Sequence, residues 1–207
     1  MAEVSVGRVL VASLHQAIAD ILPTRLTFYE NWLNTAGLRD GTIGLAPLYA
    51  VLSFLRQEQG EAYALIMSRA GEYAAEWTIA SMQPIRRSFI RSAPLFLRRR
   101  LLLNVGRQLV RETYRGSRAI AKVRKGTARV DLRASVFCTV RAPVVQPLCG
   151  FYAAAFTRLM SMFSLGSRAE VVSCRGTGGS GCVLTMAMKV ALISGDEPPV
   201  VRDREVA

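Results

Sequence analysis

Histidine is almost absent from this sequence, which contains only His15 among its 207 residues. A Cys–His or Ser–His pair would have to use this N-terminal residue, for which a surface or satisfied core position is the more common role. Paired carboxylates at a useful spacing are also missing from the apolar stretches. These absences argue against a self-sufficient enzyme and favour a binding protein.

Long uncharged runs are missing too, although 51% of the residues are hydrophobic. The longest runs, residues 41–55 and 142–157, are too short to span a bilayer, and they contain Pro47, Pro143 and Pro147. The N-terminus lacks the apolar run and small-residue cleavage site of a secretory signal. We therefore predict a cytoplasmic protein with reduced thiols, with peripheral attachment to a membrane as an alternative.

Acidic residues are scarce in one segment, residues 86–125, which holds thirteen basic residues and only Glu112 as an acid. Elsewhere the chain has fourteen basic and fourteen acidic residues, so the formal net charge of +12 belongs to this segment. Such localisation predicts an anionic partner, which is membrane lipid, nucleic acid or an acidic protein.

Five basic residues of this segment recur at intervals of four, four, three and four, which predicts one cationic stripe along a helix. A solvated helix face is the alternative interpretation, although such faces usually mix both signs of charge. No helix-turn-helix or zinc-finger pattern accompanies the stripe, so sequence-specific DNA recognition is not predicted. The stripe consists of Arg107, Arg111, Arg115, Arg118 and Lys122.

Apolar residues follow a helical period through the first part of the chain. Two helices are predicted around Pro23, a third from Pro47, a fourth over residues 61–82, and a basic helical segment within residues 84–125. At Gly126 the period changes to two. The pattern then predicts a strand over residues 127–140, a helix over 147–165, a strand over 169–175, a turn over 176–181 and a strand over 182–192.

This order predicts an α+β fold in which N-terminal helices pack with a small antiparallel sheet, followed by a helix–strand–hairpin C-terminal half. A chain of this length is sufficient for one domain with a sizeable core. We expect residues 1–195 to form a single ligand-binding domain and residues 196–207 to form a flexible tail.

Paired C-x-x-C motifs are absent, yet three of the four cysteines surround the predicted hairpin. A tight turn would bring Cys174 near Cys182, and Cys149 starts the preceding helix. These three thiols and the carboxylate of Glu170 would supply the four ligands that zinc requires. Buried or idle thiols and a disulfide between Cys174 and Cys182 are the alternatives.

Three segments carry a further signal: CRGTGGSGC at 174–182, GFYA at 150–153 and PLYAVLSFLR at 47–56. They resemble the 4-vinyl-reductase domain family. This resemblance implies a fold related to trafficking-complex subunits that bind acyl chains. The family includes aromatic-sensing domains of transcription activators and a bacteriochlorophyll-biosynthesis protein. It also implies that Cys149, Cys174 and Cys182 join a nearby acid in holding zinc beside a small apolar ligand.

The resulting hypothesis is a sensor, carrier or accessory protein that binds a hydrophobic small molecule of aromatic, tetrapyrrole or lipid-like character. An enzyme or enzyme accessory in tetrapyrrole or bacteriochlorophyll metabolism is the alternative that the resemblance implies. A basic adaptor for an anionic membrane, nucleic acid or protein is a second alternative, and a homodimer is a further hypothesis. The residues predicted to line the ligand pocket, whose alternative role is core packing, are Tyr49, Phe54, Trp77, Phe151, Tyr152 and Phe156.

Overall fold

The computed structural model describes residues 6–33, 44–58, 60–140 and 143–188. Its helices are α1 (Arg8–Ile21), α2 (Leu26–Leu33), α3 (Leu45–Glu58), α4 (Glu61–Ala80), α5 (Pro84–Ser92), α6 (Leu95–Thr113) and α7 (Gly150–Ser161). Its strands are β1 (Arg118–Arg124), β2 (Thr127–Arg133), β3 (Ala169–Ser173) and β4 (Cys182–Ala187). The predicted tail and the end of the last predicted strand lie outside the described residues. The α+β prediction is confirmed.

Prolines separate the helices where the sequence predicts it. Pro23 begins a short 3-10 turn between α1 and α2, and Pro84 occupies the first turn of α5. Proline is tolerated there because the first helical N–H groups have no intrahelical acceptor. Within the described part of the chain, no helix is both long and apolar enough to cross a bilayer.

Helices α4 and α7 cross at close range because a glycine lies at their contact. A Cβ atom on Gly71 would overlap the carbonyl oxygen of Phe151. Helix α7 thereby packs its first turn against the middle of α4, and Phe151, Tyr152 and Phe156 are fully buried. This contact fixes the position of Cys149, which immediately precedes α7.

The sheet has the order β1-β2-β4-β3, and all its neighbouring strands are antiparallel. Alternation in β2 buries Ala128, Val130 and Leu132 against the helices and exposes Arg129 and Arg133 on the opposite face. A single apolar core takes residues from every helix and every strand described. Within the part of the chain that the structure describes, the helices therefore cover one face of the sheet and leave its other face open.

The prediction that the five stripe residues lie on one helix is wrong. Helix α6 ends at Thr113, and Tyr114 is extended (φ −160°, ψ 127°) and forms an isolated bridge with Val6. The chain then enters β1, where pairing with β2 replaces the hydrogen bonds of a longer helix. Only two of the five stripe residues lie on α6, although all five are exposed: Arg107 and Arg111 on α6, Arg115 in the turn, and Arg118 and Lys122 on β1.

The predicted strand over residues 127–140 is also too long. Strand β2 ends at Arg133 because Ala134 has a left-handed conformation (φ 54°), which interrupts the extended chain. A 3-10 turn over Val136–Cys138 follows and places Phe137 in the core. The predicted helix over residues 147–165 is shorter at both ends, since α7 covers only Gly150–Ser161.

Candidate metal centre

Four cysteines from four separate segments meet at one point. Cys138 ends the turn after β2, Cys149 precedes α7, Cys174 follows β3 and Cys182 begins β4. Their Sγ atoms all lie within 4.8 Å of one another. Cys138 Sγ lies 3.1, 3.4 and 3.3 Å from the other three sulfurs in chain order. We call these four residues the cysteine cluster.

The hairpin between β3 and β4 brings two of the four thiols to the cluster. Gly178 adopts a left-handed conformation (φ 85°) that favours glycine, so the turn reverses within a few residues. The Gly179 N–H donates to the Cys174 carbonyl at 2.9 Å, and Ser173 Oγ donates to the Gly181 carbonyl at 2.9 Å. Pairing of Leu132 with Cys182 sets the register of the second thiol.

Backbone donors point at the sulfurs of the hairpin. The Leu148 backbone nitrogen lies 3.4 Å from Cys174 Sγ, and the Arg175 backbone nitrogen lies 3.4 Å from Cys182 Sγ. Hydrogen bonds from Cys149 and then from the Leu148 N–H lower the pKa of Cys174 to about 5. Hydrogen bonds from Cys138 and then from Cys149 lower the pKa of Cys182 to about 2. Hydrogen bonds with Cys138 and then with Cys174 raise the pKa of Cys149, and the pKa of Cys138 is raised as well. The cluster therefore favours thiolates, which are the form that binds metals, at Cys174 and Cys182 only.

The distances between the sulfurs run from 3.1 Å to no more than 4.8 Å, a range that includes the edge length of a single tetrahedral site. Zn–S bonds of about 2.3 Å imply sulfur–sulfur edges of roughly 3.8 Å in a tetrahedron. The spacings between Cys149, Cys174 and Cys138 run from 3.1 to 3.8 Å. All four thiols are free, and three of them are buried while Cys138 is partly exposed. Four thiolates with no open ligand position are typical of structural zinc.

The structure brings together three of the four predicted metal ligands. Cys149, Cys174 and Cys182 lie in the cluster, whereas Glu170 is exposed on β3, where it pairs with Thr185 of β4. Cys138 takes the fourth place. Its position was hidden in the sequence because the strand predicted over residues 127–140 runs through it. The count of four cysteines was the available signal, since zinc commonly takes four.

The six predicted pocket aromatics do not share one environment. Phe151 and Tyr152 contact Phe137, with ring centroids 5.0 and 5.3 Å away, and the Tyr152 hydroxyl lies 3.2 Å from Thr113 Oγ1. The other four lie apart from this group. Phe156 packs beneath Gly106, and Tyr49 lies beside Thr139. Phe54 packs against Phe28 and Trp32, and Trp77 stacks on Tyr73.

Tyr63 is a further candidate residue next to the cluster. Its hydroxyl is buried and makes no hydrogen bond of good geometry among the described residues, although the Arg56 guanidinium interacts with it. Burial raises the pKa of this phenol, the nearby Arg56 guanidinium partly offsets the rise, and Cys138 and Cys149 add to it. The phenol therefore lies within electrostatic reach of the cysteine cluster. A buried hydroxyl without a hydrogen bond of good geometry is unusual in a folded protein.

The single histidine pairs with a carboxylate away from the cluster. His15 Nε2 lies 2.8 Å from Glu30 Oε1, and this contact joins α1 to α2. The pairing agrees with the role of a satisfied histidine at the surface.

Comparison with known proteins shows similarity at the level of the fold. No protein-family model and no curated protein sequence matches this chain. The phenol-responsive sensory domain of the transcription activator PoxR, solved with phenol, is 14% identical, with a TM-score of 0.52 over 70% of this chain and 74% of that chain. An H-NOX structure from a study of H-NOX activation is 13% identical, with a TM-score of 0.49 over 90% of this chain and 96% of that chain. The chain thus shares its fold with the PoxR domain.

Proposed function

We propose that this chain is a sensor or carrier that binds a hydrophobic small molecule, and that its cysteine cluster holds one structural zinc ion. The observation that carries the proposal is the cysteine cluster, with four sulfurs within 4.8 Å of one another. The geometry suits zinc because four thiolates complete its tetrahedral coordination. An iron–sulfur cluster would place several metal atoms between the thiolates and would need wider spacing.

Zinc at this position would tie together parts of the chain that are distant in sequence. Cys138 and Cys182 differ by 44 positions: Cys138 follows β2, and Cys182 begins the neighbouring strand β4. Closing long loops restricts the unfolded chain, and metal binding contributes directly to folding free energy. The role of the four cysteines is then to bind the ion and hold the hairpin against α7, with no catalytic step.

A small-molecule ligand is supported by the buried groups beside the cluster. Phe137, Phe151 and Tyr152 form an aromatic group next to Cys149, and the Tyr63 hydroxyl is available for a hydrogen bond. The common fold with a phenol-responsive domain supports an aromatic ligand that has one polar group. The resemblance to the 4-vinyl-reductase family supports tetrapyrrole and lipid-like molecules as further classes.

The proposed binding unit is a single domain. A continuous core links residues from α1 through β4, which supports one domain within residues 1–195. The pocket would open by rearrangement of side chains around Phe137 and Phe151, since these rings fill the core in this structure.

Native mass spectrometry of protein purified from its own host tests both halves of the proposal. We expect the native mass to exceed the chain mass by one zinc ion and one organic molecule, both of which leave under denaturing conditions. Elemental analysis identifies the metal. Protein that carries neither metal nor organic ligand, and gains no stability from added zinc, would contradict the proposal.

A further inference from the structure

The outer face of the sheet carries cations in direct opposition. In the pairing of β1 with β2, Arg118 lies opposite Arg133 and Lys122 lies opposite Arg129. All four side chains are exposed. Like charges directly opposite each other destabilise a sheet. Among the described residues, Arg69 and Arg158 form ion pairs with carboxylates, whereas these four basic residues form none.

A groove of about 520 Å³ lies where this face meets the β3–β4 hairpin. Arginines from two elements reach it, and serine hydroxyls and one acid complete its polar lining. Three arginines against one aspartate give these residues a formal charge of two positive units. The polar lining residues are Arg129, Arg133, Arg175, Asp131, Ser173 and Ser180.

We propose that this groove binds a phosphate group. A phosphate monoester carries close to two negative charges at neutral pH and three acceptor oxygens, which complement the charge of the lining. A planar guanidinium binds phosphate through two parallel hydrogen bonds. A phosphate group can therefore use the three arginines of the groove more fully than a single carboxylate ligand could. The volume of the groove is that of a small-molecule site.

The outward side chains of β1 and β2 argue against single-stranded nucleic acid as the occupant. Binding of unpaired bases relies on aromatic side chains on which the bases stack. The outward positions of the two strands hold charged residues, except for Ile120 and Thr127, and none of them is aromatic. The groove is therefore assigned to a discrete phosphate group, on a soluble molecule or on a lipid headgroup.

The groove and the cysteine cluster share one hairpin. The Arg175 N–H contacts the Cys182 sulfur at 3.4 Å while its side chain lines the groove, and Ser180 lies two positions before Cys182. The hairpin conformation thus positions the groove. Metal content must be equal across variants before their phosphate affinities are compared, so that a failure of the zinc proposal is seen separately.

Calorimetric titration of the intact protein with inorganic phosphate tests the groove. We expect saturable binding that weakens at least about tenfold in Arg133→Gln/Arg175→Gln, because two charged hydrogen-bond donors are lost. The Arg133→Lys/Arg175→Lys variant keeps the charge but loses the bidentate geometry, and we expect it to weaken binding by a smaller factor. Arg111→Gln is the matched control, since it removes an exposed arginine of α6 outside the groove.

Equal weakening in the control and the groove variants would overturn the proposal, because it would indicate general electrostatic attraction. Absence of saturable binding at millimolar phosphate and low ionic strength would overturn it as well. Vesicles of phosphatidylcholine with phosphatidylinositol 4-phosphate distinguish the two sources. Retention that free phosphate competes away and that Arg133→Gln/Arg175→Gln abolishes assigns a lipid headgroup. Saturable phosphate binding without retention assigns a soluble phosphate.

Discussion

The Sγ atoms of Cys138 and Cys149 lie 3.1 Å apart, although Cys138 ends the turn after β2 and Cys149 immediately precedes α7. This distance exceeds a disulfide bond of about 2.05 Å and is shorter than the roughly 3.8 Å between two sulfur ligands of one zinc ion. Cys138 thus lies beside the other three thiols, where the sequence predicts Glu170.

Substitution of Cys138 distinguishes the two candidate fourth ligands. We expect Cys138→Ser to lose most of the bound zinc and to lower the melting temperature, because a hydroxyl is a poor substitute for a thiolate at a four-thiolate site. Glu170→Gln should keep the zinc content of the wild type, since Glu170 lies outside the cluster. Elemental analysis of both variants decides. Loss of zinc in Glu170→Gln alone would contradict the structural assignment.

Tyr63→Phe should have opposite effects on stability and on ligand binding. Removal of a buried hydroxyl that makes no hydrogen bond of good geometry is expected to raise the free energy of unfolding of the ligand-free protein by about 1 kcal/mol. The same change should weaken binding of phenol, used as the probe. Urea unfolding and calorimetry measure the two effects.

Tyr152→Phe is the matched control, because its hydroxyl contacts Thr113 at 3.2 Å. Loss of that contact is expected to lower stability by about 1 kcal/mol. Destabilisation of similar size in both variants would show that the Tyr63 hydroxyl has a partner in solution.

The contact between α4 and α7 predicts a large effect for one methyl group. Gly71→Ala should destabilise the protein by about 1–3 kcal/mol or more, because the added Cβ meets backbone atoms that cannot rotate away. Gly150→Ala provides the control, since a Cβ there meets nothing within 4 Å. Chemical denaturation compares the two. A Gly71→Ala variant as stable as Gly150→Ala would be incompatible with this helix crossing.

A hydroxyl–carboxylate contact between α4 and α1 predicts acid sensitivity. A hydrogen bond from Tyr73, followed by one from Gln16, lowers the pKa of Asp20 below 3.8. Because the folded pKa is lower than the unfolded pKa, the stabilisation is present above the unfolded pKa and is lost as the pH falls through the folded value. Tyr73→Phe should raise the pKa of Asp20, as measured by NMR titration of its carboxyl carbon. Tyr49→Phe, whose hydroxyl contacts Thr139 instead, should leave that pKa unchanged.

Much of the fold was predictable because it depends on local patterns. Pro23 and Pro84 mark helix boundaries in the sequence and in the structure. The alternation around Val130 and Leu132 predicts a strand with one buried face, and β2 has it. The glycine-rich turn at residues 176–181 predicts the reversal that joins β3 to β4. These features follow from the conformational limits of proline and glycine and from the period of apolar residues.

The end of α6 depended on tertiary contacts. The basic residues from Arg107 to Lys122 match a helical period, yet the chain leaves the helix at Thr113. Pairing of β1 with β2 provides hydrogen-bond partners along one side of residues 118–124 and buries Ala119. A short alternation is weak as a sequence signal, and only the neighbouring strand decides between the two periods.

The sequence by itself determined the α+β order of elements, the location of the charge excess and three of the thiols in the cysteine cluster. Tertiary structure alone decided that Cys138 joins them and that Glu170 does not, because a left-handed residue at Ala134 turns the chain out of β2. It also placed Arg118 opposite Arg133, through a strand pairing that joins residues 15 positions apart. Side-chain types and spacing indicate which chemistry is available, whereas proximity depends on how distant segments pack.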